Sequence, residues 1–184
     1  MAPKTKITGE MILDAAFEII RESGHENLNA RTIADRLKCS TQPVLYHFKT
    51  MDEIRDAVYQ TADAYHTQYI LSDADRSGSP FLSIGLAYIR FGHAEPGLFR
   101  FLFQSNRFAG RSLLSLADDP EMEPLLSAAR AELGCAEANI RELFMVFVIA
   151  VHGYAALLAN NALEYDEQQA VRMLETIFNG MKRN

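Results

Sequence analysis

Apolar residues recur along the chain at every third or fourth position and nowhere alternate with polar ones over the length of a strand, so the pattern predicts an all-α protein. A first helix is expected from about Thr8 to Ser23, with Ile12, Ala15, Ala16, Ile19 and Ile20 on one stripe, Thr8 as N-cap and Gly24 as the stop. Asn29 is placed to cap a short second helix that turns Ile33, Ala34 and Leu37 inward. A third helix follows in "CSTQPVLYHF", Cys39–Phe48, capped by Ser40 or Thr41. Pro43 falls in its first turn, where a missing N–H costs nothing, and Val44, Leu45 and Phe48 form its core side. In "TMDE", Thr50 and Glu53 form a capping box, with Glu53 reaching back to Thr50; the long fourth helix then carries Ile54, Val58 and Ala62 towards Tyr69.

The pattern breaks at "SDADRSGSP", Ser72–Pro80, which is polar and rich in turn residues. Two domains are expected: 1–55, whose fourth helix continues to about 71, and 72–184, holding five further helices. "LFMVFVIAVHGYAALLA", Leu143–Ala159, is apolar almost all round. It falls short of the ~20 residues a bilayer span needs and contains His152, so it is expected to be a helix buried in protein and not in a membrane. The last helix is amphipathic, with Val171, Leu174, Ile177 and Phe178 on its stripe.

Charge alters this picture locally. The net charge of −6 over 184 residues argues against a protein that coats nucleic acid indiscriminately. Between Asn27 and Thr50, however, Arg31, Arg36, Lys38 and Lys49 stand against Asp35 alone, which suits a DNA-reading head on an acidic body. Cys39 and Cys135 are far apart, and "MAPKTKITGE" has no apolar run after its lysines, so free thiols and a cytoplasmic location are expected.

Two short helices joined by a short turn make a helix-turn-helix candidate. Thr41 and Gln42 stand at the N-terminal end of its second helix, the end that approaches base edges in the major groove. Gln42 can pair bidentately with adenine, Thr41 and Pro43 can meet a thymine methyl, and Tyr46 and His47 can reach phosphates or a sugar edge. One such helix reads few base pairs, so a two-fold dimer with half-sites ~34 Å apart, or a multiple of that, is expected. Catalysis is not: the carboxylates nearest His47 in sequence, Asp52 and Glu53, start the fourth helix. His93 and His152 lack a Cys or carboxylate at ligand spacing, and no phosphate loop, zinc pattern or nucleophile elbow is present. Neither a metal nor a cofactor is expected.

"AAFEIIRESG" and "LNARTIADRLKCSTQPVLYHFKTMDEI", followed by long helices, resemble the TetR family of transcriptional regulators. The resemblance rests on Ala15, Ala16 and Phe17, on Gly24, on the Ile33–Ala34 pair, on Ser40, and on the aromatic-His-Phe run before the fourth helix. It implies a DNA-facing surface of Arg31, Ser40, Thr41, Gln42, Pro43, Tyr46, His47 and the start of the fourth helix. Leu45 stands where many members have a backbone-contacting tyrosine and Met51 where many have lysine. That shifts phosphate contact towards Lys49, Arg31, Lys4 and Lys6.

The resemblance further implies a homodimer through the last two helices, with Ala155, Ala156 and Ala159 allowing close approach. It also implies an effector cavity in the second domain, with Tyr88, Phe91, Phe103, Phe144, Phe147 and His152 as candidate lining for a small apolar or amphipathic molecule. The implied function is a ligand-responsive repressor that binds a palindromic site on double-stranded DNA and is released when the effector acts through the fourth helix. The competing reading is a helical protein–protein interaction module that has lost DNA binding, which Leu45, Met51 and the negative charge would favour.

Overall fold

A computed structural model describes residues 6–72, 78–104, 112, 117–118, 120–134, 137–160 and 163–183. Among these there are nine α-helices and no strand: α1 Gly9–Ser23, α2 Ala30–Arg36, α3 Thr41–His47, α4 Met51–Leu71, α5 Pro80–Ala94, α6 Pro96–Phe103, α7 Glu123–Leu133, α8 Glu137–Ala159 and α9 Glu167–Met181. The fold is all-α, with a helix-turn-helix near its start, as the pattern predicts. Of the expected junction, residues 73–77 lie outside the described residues, as do Lys4 and Cys135. The chain divides into two compact units. One holds the residues up to His66 together with the segment from Gly97; the other holds Thr67–Pro96 and the rest of the C-terminal half.

In the first unit, local signals set the helix ends. Thr8 Oγ1 accepts the amide of Met11 at 3.2 Å, and Gly24 takes φ 88°, which a side chain rarely allows. Asn29 Oδ1 accepts the amides of Arg31 and Thr32 at 3.0 Å, while Thr32 Oγ1 accepts that of Asn29 at 3.1 Å, so α2 starts in a closed capping box. Ile12, Ile20, Ile33, Val44, Ile54 and Val58 are fully buried, each contributing about 1.5–3 kcal/mol. Two sequence readings are corrected. Leu45 is 52% exposed, because Val44 alone on α3 points into the core. Glu53 passes over Thr50 and accepts the amide of Lys49 at 2.8 Å.

α6 belongs to this first unit. Leu98, Phe99, Phe101 and Leu102 are buried, and the Phe101 ring lies 5.9 Å from Tyr59 and 6.1 Å from His25. Gly97 permits this. A Cβ there would lie 2.7 Å from the carbonyl oxygen of Arg21 and closer still to that of Ile20, both backbone atoms of α1.

In the second unit α5, α7, α8 and α9 enclose an apolar core with Phe81 at its centre, its ring 4.2 Å from Phe147 and 5.9 Å from Phe178. Polar clamps join the helices at the rim. Ser79 caps α5 at Leu82 and donates to the Glu132 carboxylate, which also accepts the amide of Phe81 at 2.9 Å. Arg90 grips Glu167 on α9 through Nη2 at 2.5 Å and Nε at 3.2 Å, which raises the guanidinium pKa and lowers that of the carboxyl.

α8 corrects the expected membrane argument. Its stretch Asn139–Ala159 is long and apolar enough to cross a bilayer, because a span tolerates the polar residues that precede Leu143. It packs instead as a core helix, burying Phe144, Phe147, Val151, Ala155 and Leu158. Of the three alanines, Ala155 and Ala159 are fully buried and Ala156 partly, and Ala155 lies against Gly92 of α5, bringing two helices of the same chain together. On α9, Leu174 and Phe178 point into the same core.

Gly97→Ala forces α6 off α1 and should cost about 1–3 kcal/mol, lowering Tm by roughly 2–12 °C. Gly180→Ala, whose Cβ would meet nothing within 4 Å, should leave Tm within about 2 °C in the same calorimetric scan. His66 is buried on α4 with its ring 5.1 Å from Phe103, and burial pushes its pKa down to about 4. The folded state therefore binds fewer protons than the unfolded state, and this contribution is complete above pH ~6.5 and lost as pH falls towards 4. Urea titrations should show stability falling by about 2 kcal/mol from pH 6.5 to 5, with a shallower decline in His66→Phe.

Candidate nucleic-acid interface and effector site

The turn between α2 and α3 sets the presentation of α3. The amide of Cys39 donates to Ala34 O at 3.0 Å and that of Lys38 to Asp35 O at 3.2 Å, with Lys38 in the left-handed region at φ 53°. This 6→1 and 5→2 pair stops α2 and reverses the chain within Leu37–Ser40, in a conformation glycine usually supplies. Ser40 is the N-cap of α3 by its backbone, although its side chain makes no cap hydrogen bond. Pro43 stands in the first turn as predicted, and Thr41, Gln42, Leu45 and Tyr46 are exposed, Tyr46 at 83%.

The cations do not all face outward freely. Arg36 forms a two-pronged pair with Glu22 of α1, both contacts at 2.7 Å, which holds the Glu22 carboxyl below its ordinary range. It is spent on joining α2 to α1. Arg31 has an 88% exposed side chain and only a 4.0 Å contact to Asp35, a spacing that water screens effectively. Lys38 and Lys49 are exposed at the two ends of α3. His47 is differently engaged: its Nε2 lies 3.0 Å from the carbonyl oxygen of Ile7, ahead of α1. The sequence offered no signal for that pairing across forty residues.

The candidate effector residues fall into separate groups. The Tyr88 hydroxyl and Nδ1 of His152 share a hydrogen bond of 2.8 Å, joining α5 to α8. Burial raises the Tyr88 pKa and lowers that of His152, which favours the neutral form of each. Phe144 and Phe147 lie in the core around Phe81, and Phe91 is buried with its ring 5.4 Å from Tyr69. Phe103 lies in the first unit, its ring 5.0 Å from Phe99. Tyr154, not among the candidate lining residues, has a buried hydroxyl with no hydrogen-bond partner among the described residues. Such an atom is costly unless water or a ligand meets it. Among the described residues no three His, Cys, Asp or Glu side chains gather as a metal site.

Comparison with known proteins agrees with this geometry. Residues 12–58 match the family model described as bacterial regulatory proteins, tetR family, and residues 81–179, more than half of the chain, match the tetracyclin repressor-like C-terminal domain. The chain is 35% identical over 78 residues to the class D tetracycline repressor protein of Escherichia coli and to the class H protein of Photobacterium damsela subsp. piscicida. These matches cover 42% of this chain and 35% of each relative. Among solved structures, a TetR-like transcriptional regulator from Rhodococcus sp. RHA1 superposes with a TM-score of 0.67 at 16% identity, covering 92% of each chain. A variant of TetR from Acinetobacter baumannii AYE, solved with minocycline, superposes with a TM-score of 0.60 at 18% identity, covering 97% of this chain and 98% of that one. The chain belongs to the TetR family of bacterial regulatory proteins.

Proposed function

We propose that the protein is a cytoplasmic repressor that binds a palindromic operator as a homodimer and is released by a small apolar or amphipathic effector. The observation that carries this is the outer face of α3: Thr41, Gln42, Leu45 and Tyr46 exposed together, with Lys38 and Lys49 at its ends. Gln42 reads adenine, Thr41 and Pro43 meet thymine methyls, and Ser40, Tyr46, Arg31 and Lys49 contact the sugar-phosphate backbone. The apolar content of the α3 face beyond Pro43 shifts the balance from phosphate anchoring towards contact with base methyls.

The homodimer reading is supported by α8. Val146, Ile149, Gly153 and Leu157 follow one another at spacings of three and four residues, and the three larger side chains are about half exposed. A Cβ on Gly153 would meet nothing within 4 Å, so this face has room for a second helix. An apolar stripe of this kind on a helix whose other side is a packed core is suited to a two-fold, self-complementary contact.

Tyr154 lies in the phenylalanine-rich core and Tyr88 packs against it, so the Tyr154 hydroxyl and the Tyr88–His152 pair support an uncharged effector with one or two hydrogen-bonding groups. The tetracycline repressors and the minocycline-bound structure support a small organic molecule as the signal, without identifying it. α4 runs from the first unit into the second, so effector binding can act on the head through a continuous helix. A coupling of about 1–3 kcal/mol changes operator affinity 5- to 150-fold.

The deciding experiment is a gel shift with the DNA upstream of the protein's own coding region and with palindromes selected from a random library. A saturable shift by two protomers per site is expected, and a protein that retards no duplex overturns the reading. Lys49→Ala should weaken binding to all sequences and reduce the slope of log K against log salt by about 1 per protomer. Ile149→Glu should yield monomers in sedimentation velocity and lower operator affinity at least tenfold, while the head keeps its helical circular dichroism.

A further inference from the structure

His47, the last residue of α3, does not face outward alone. Its Nε2 is 3.0 Å from the carbonyl oxygen of Ile7, and since a carbonyl only accepts, the ring donates. Neighbouring contacts secure the same place. A Cβ on Gly9 would lie 3.8 Å from the Phe48 ring and 3.9 Å from His47 Nδ1, so the start of α1 faces the end of α3. Thr8, between them, is held by its own cap to Met11. Ile7, just ahead of the chain's first helix, is thus tied to the helix that presents Thr41, Gln42 and Tyr46.

Lys6 directly precedes the tied segment and is exposed. Its Cα is one peptide, about 3.8 Å, from that of Ile7. The clasp therefore holds a cation beside the C-terminal end of α3, where Lys49 is also exposed. A helix entering the major groove by its N-terminal residues leaves its far end near the flanking phosphates, where a lysine adds affinity without reading sequence.

We propose that His47 is a positioning residue: by holding the Ile7 carbonyl it fixes Lys6 as a phosphate contact at the end of the recognition helix. The proposal rests on the DNA-binding reading above, and it separates His47 from the residues that touch DNA themselves.

The test is the salt dependence of binding to the best palindrome selected from the random library, measured for a double-mutant cycle. Lys6→Gln should lower the slope by about 1 per protomer. His47→Phe should lower it by the same amount, and the double variant should show no further loss. His47→Gln, whose amide can donate to the same carbonyl, should restore the slope. An unchanged slope in Lys6→Gln overturns the proposal. So do additive losses in the double variant, which would mean that His47 contacts DNA on its own account. If His47→Phe fails to fold by circular dichroism, the Lys6→Gln slope and the His47→Gln rescue still decide. Wild-type protein that binds no duplex at all overturns the DNA-binding reading instead.

Discussion

The close approach of α6 to α1 is the contact on which the first unit depends, and it is possible only because residue 97 has no side chain. With Gly97 against the carbonyls of Ile20 and Arg21, Phe99 and Phe101 enter a core otherwise built from the first sixty-six residues. A short helix-turn-helix has little apolar surface of its own, and small domains are marginal for that reason. Here a segment from the C-terminal half completes the core. The same arrangement means that the chain passes between the two units within α4 and again on either side of α6.

Electrostatics at the head shows how a formal charge count can mislead. The local excess of positive charge includes Arg36, which Glu22 neutralises in a planar two-pronged pair, and Arg31, which shares Asp35 loosely. What remains is a small number of exposed cations, among them Lys38 in the left-handed turn, Lys49 after the end of α3, and Lys6 ahead of α1. A surface of this kind gives modest phosphate attraction and leaves much of the recognition to the polar and apolar groups of α3, which suits a site-specific binder better than a general nucleic-acid protein.

α8 is apolar all round for two separate reasons. One side packs against α5, where Gly92 and Ala155 allow close contact and where Phe81 and Phe147 fill the space between. The other side carries the half-exposed stripe around Gly153. A hydrophobicity profile adds the two together, and the result satisfies the length and composition of a membrane span.

What the sequence determined by itself was whatever depends on near neighbours: the all-α class, the starts of α1 and α2 at Thr8 and Asn29, the stop at Gly24, Pro43 in the first turn of α3, and the family motif around them. These rest on hydrogen bonds and backbone preferences spanning three to five residues, which spacing makes visible. What only the tertiary structure decided were the pairings between distant positions. Leu45 is exposed because Val44 takes the inward place; Ala155 is buried because Gly92, some sixty residues away, lies opposite it. Phe103 lies with the head and not with the other candidate lining residues, and His47 holds Ile7. In each case the side chain's chemistry was legible, but its role depended on which remote backbone or ring the fold set beside it.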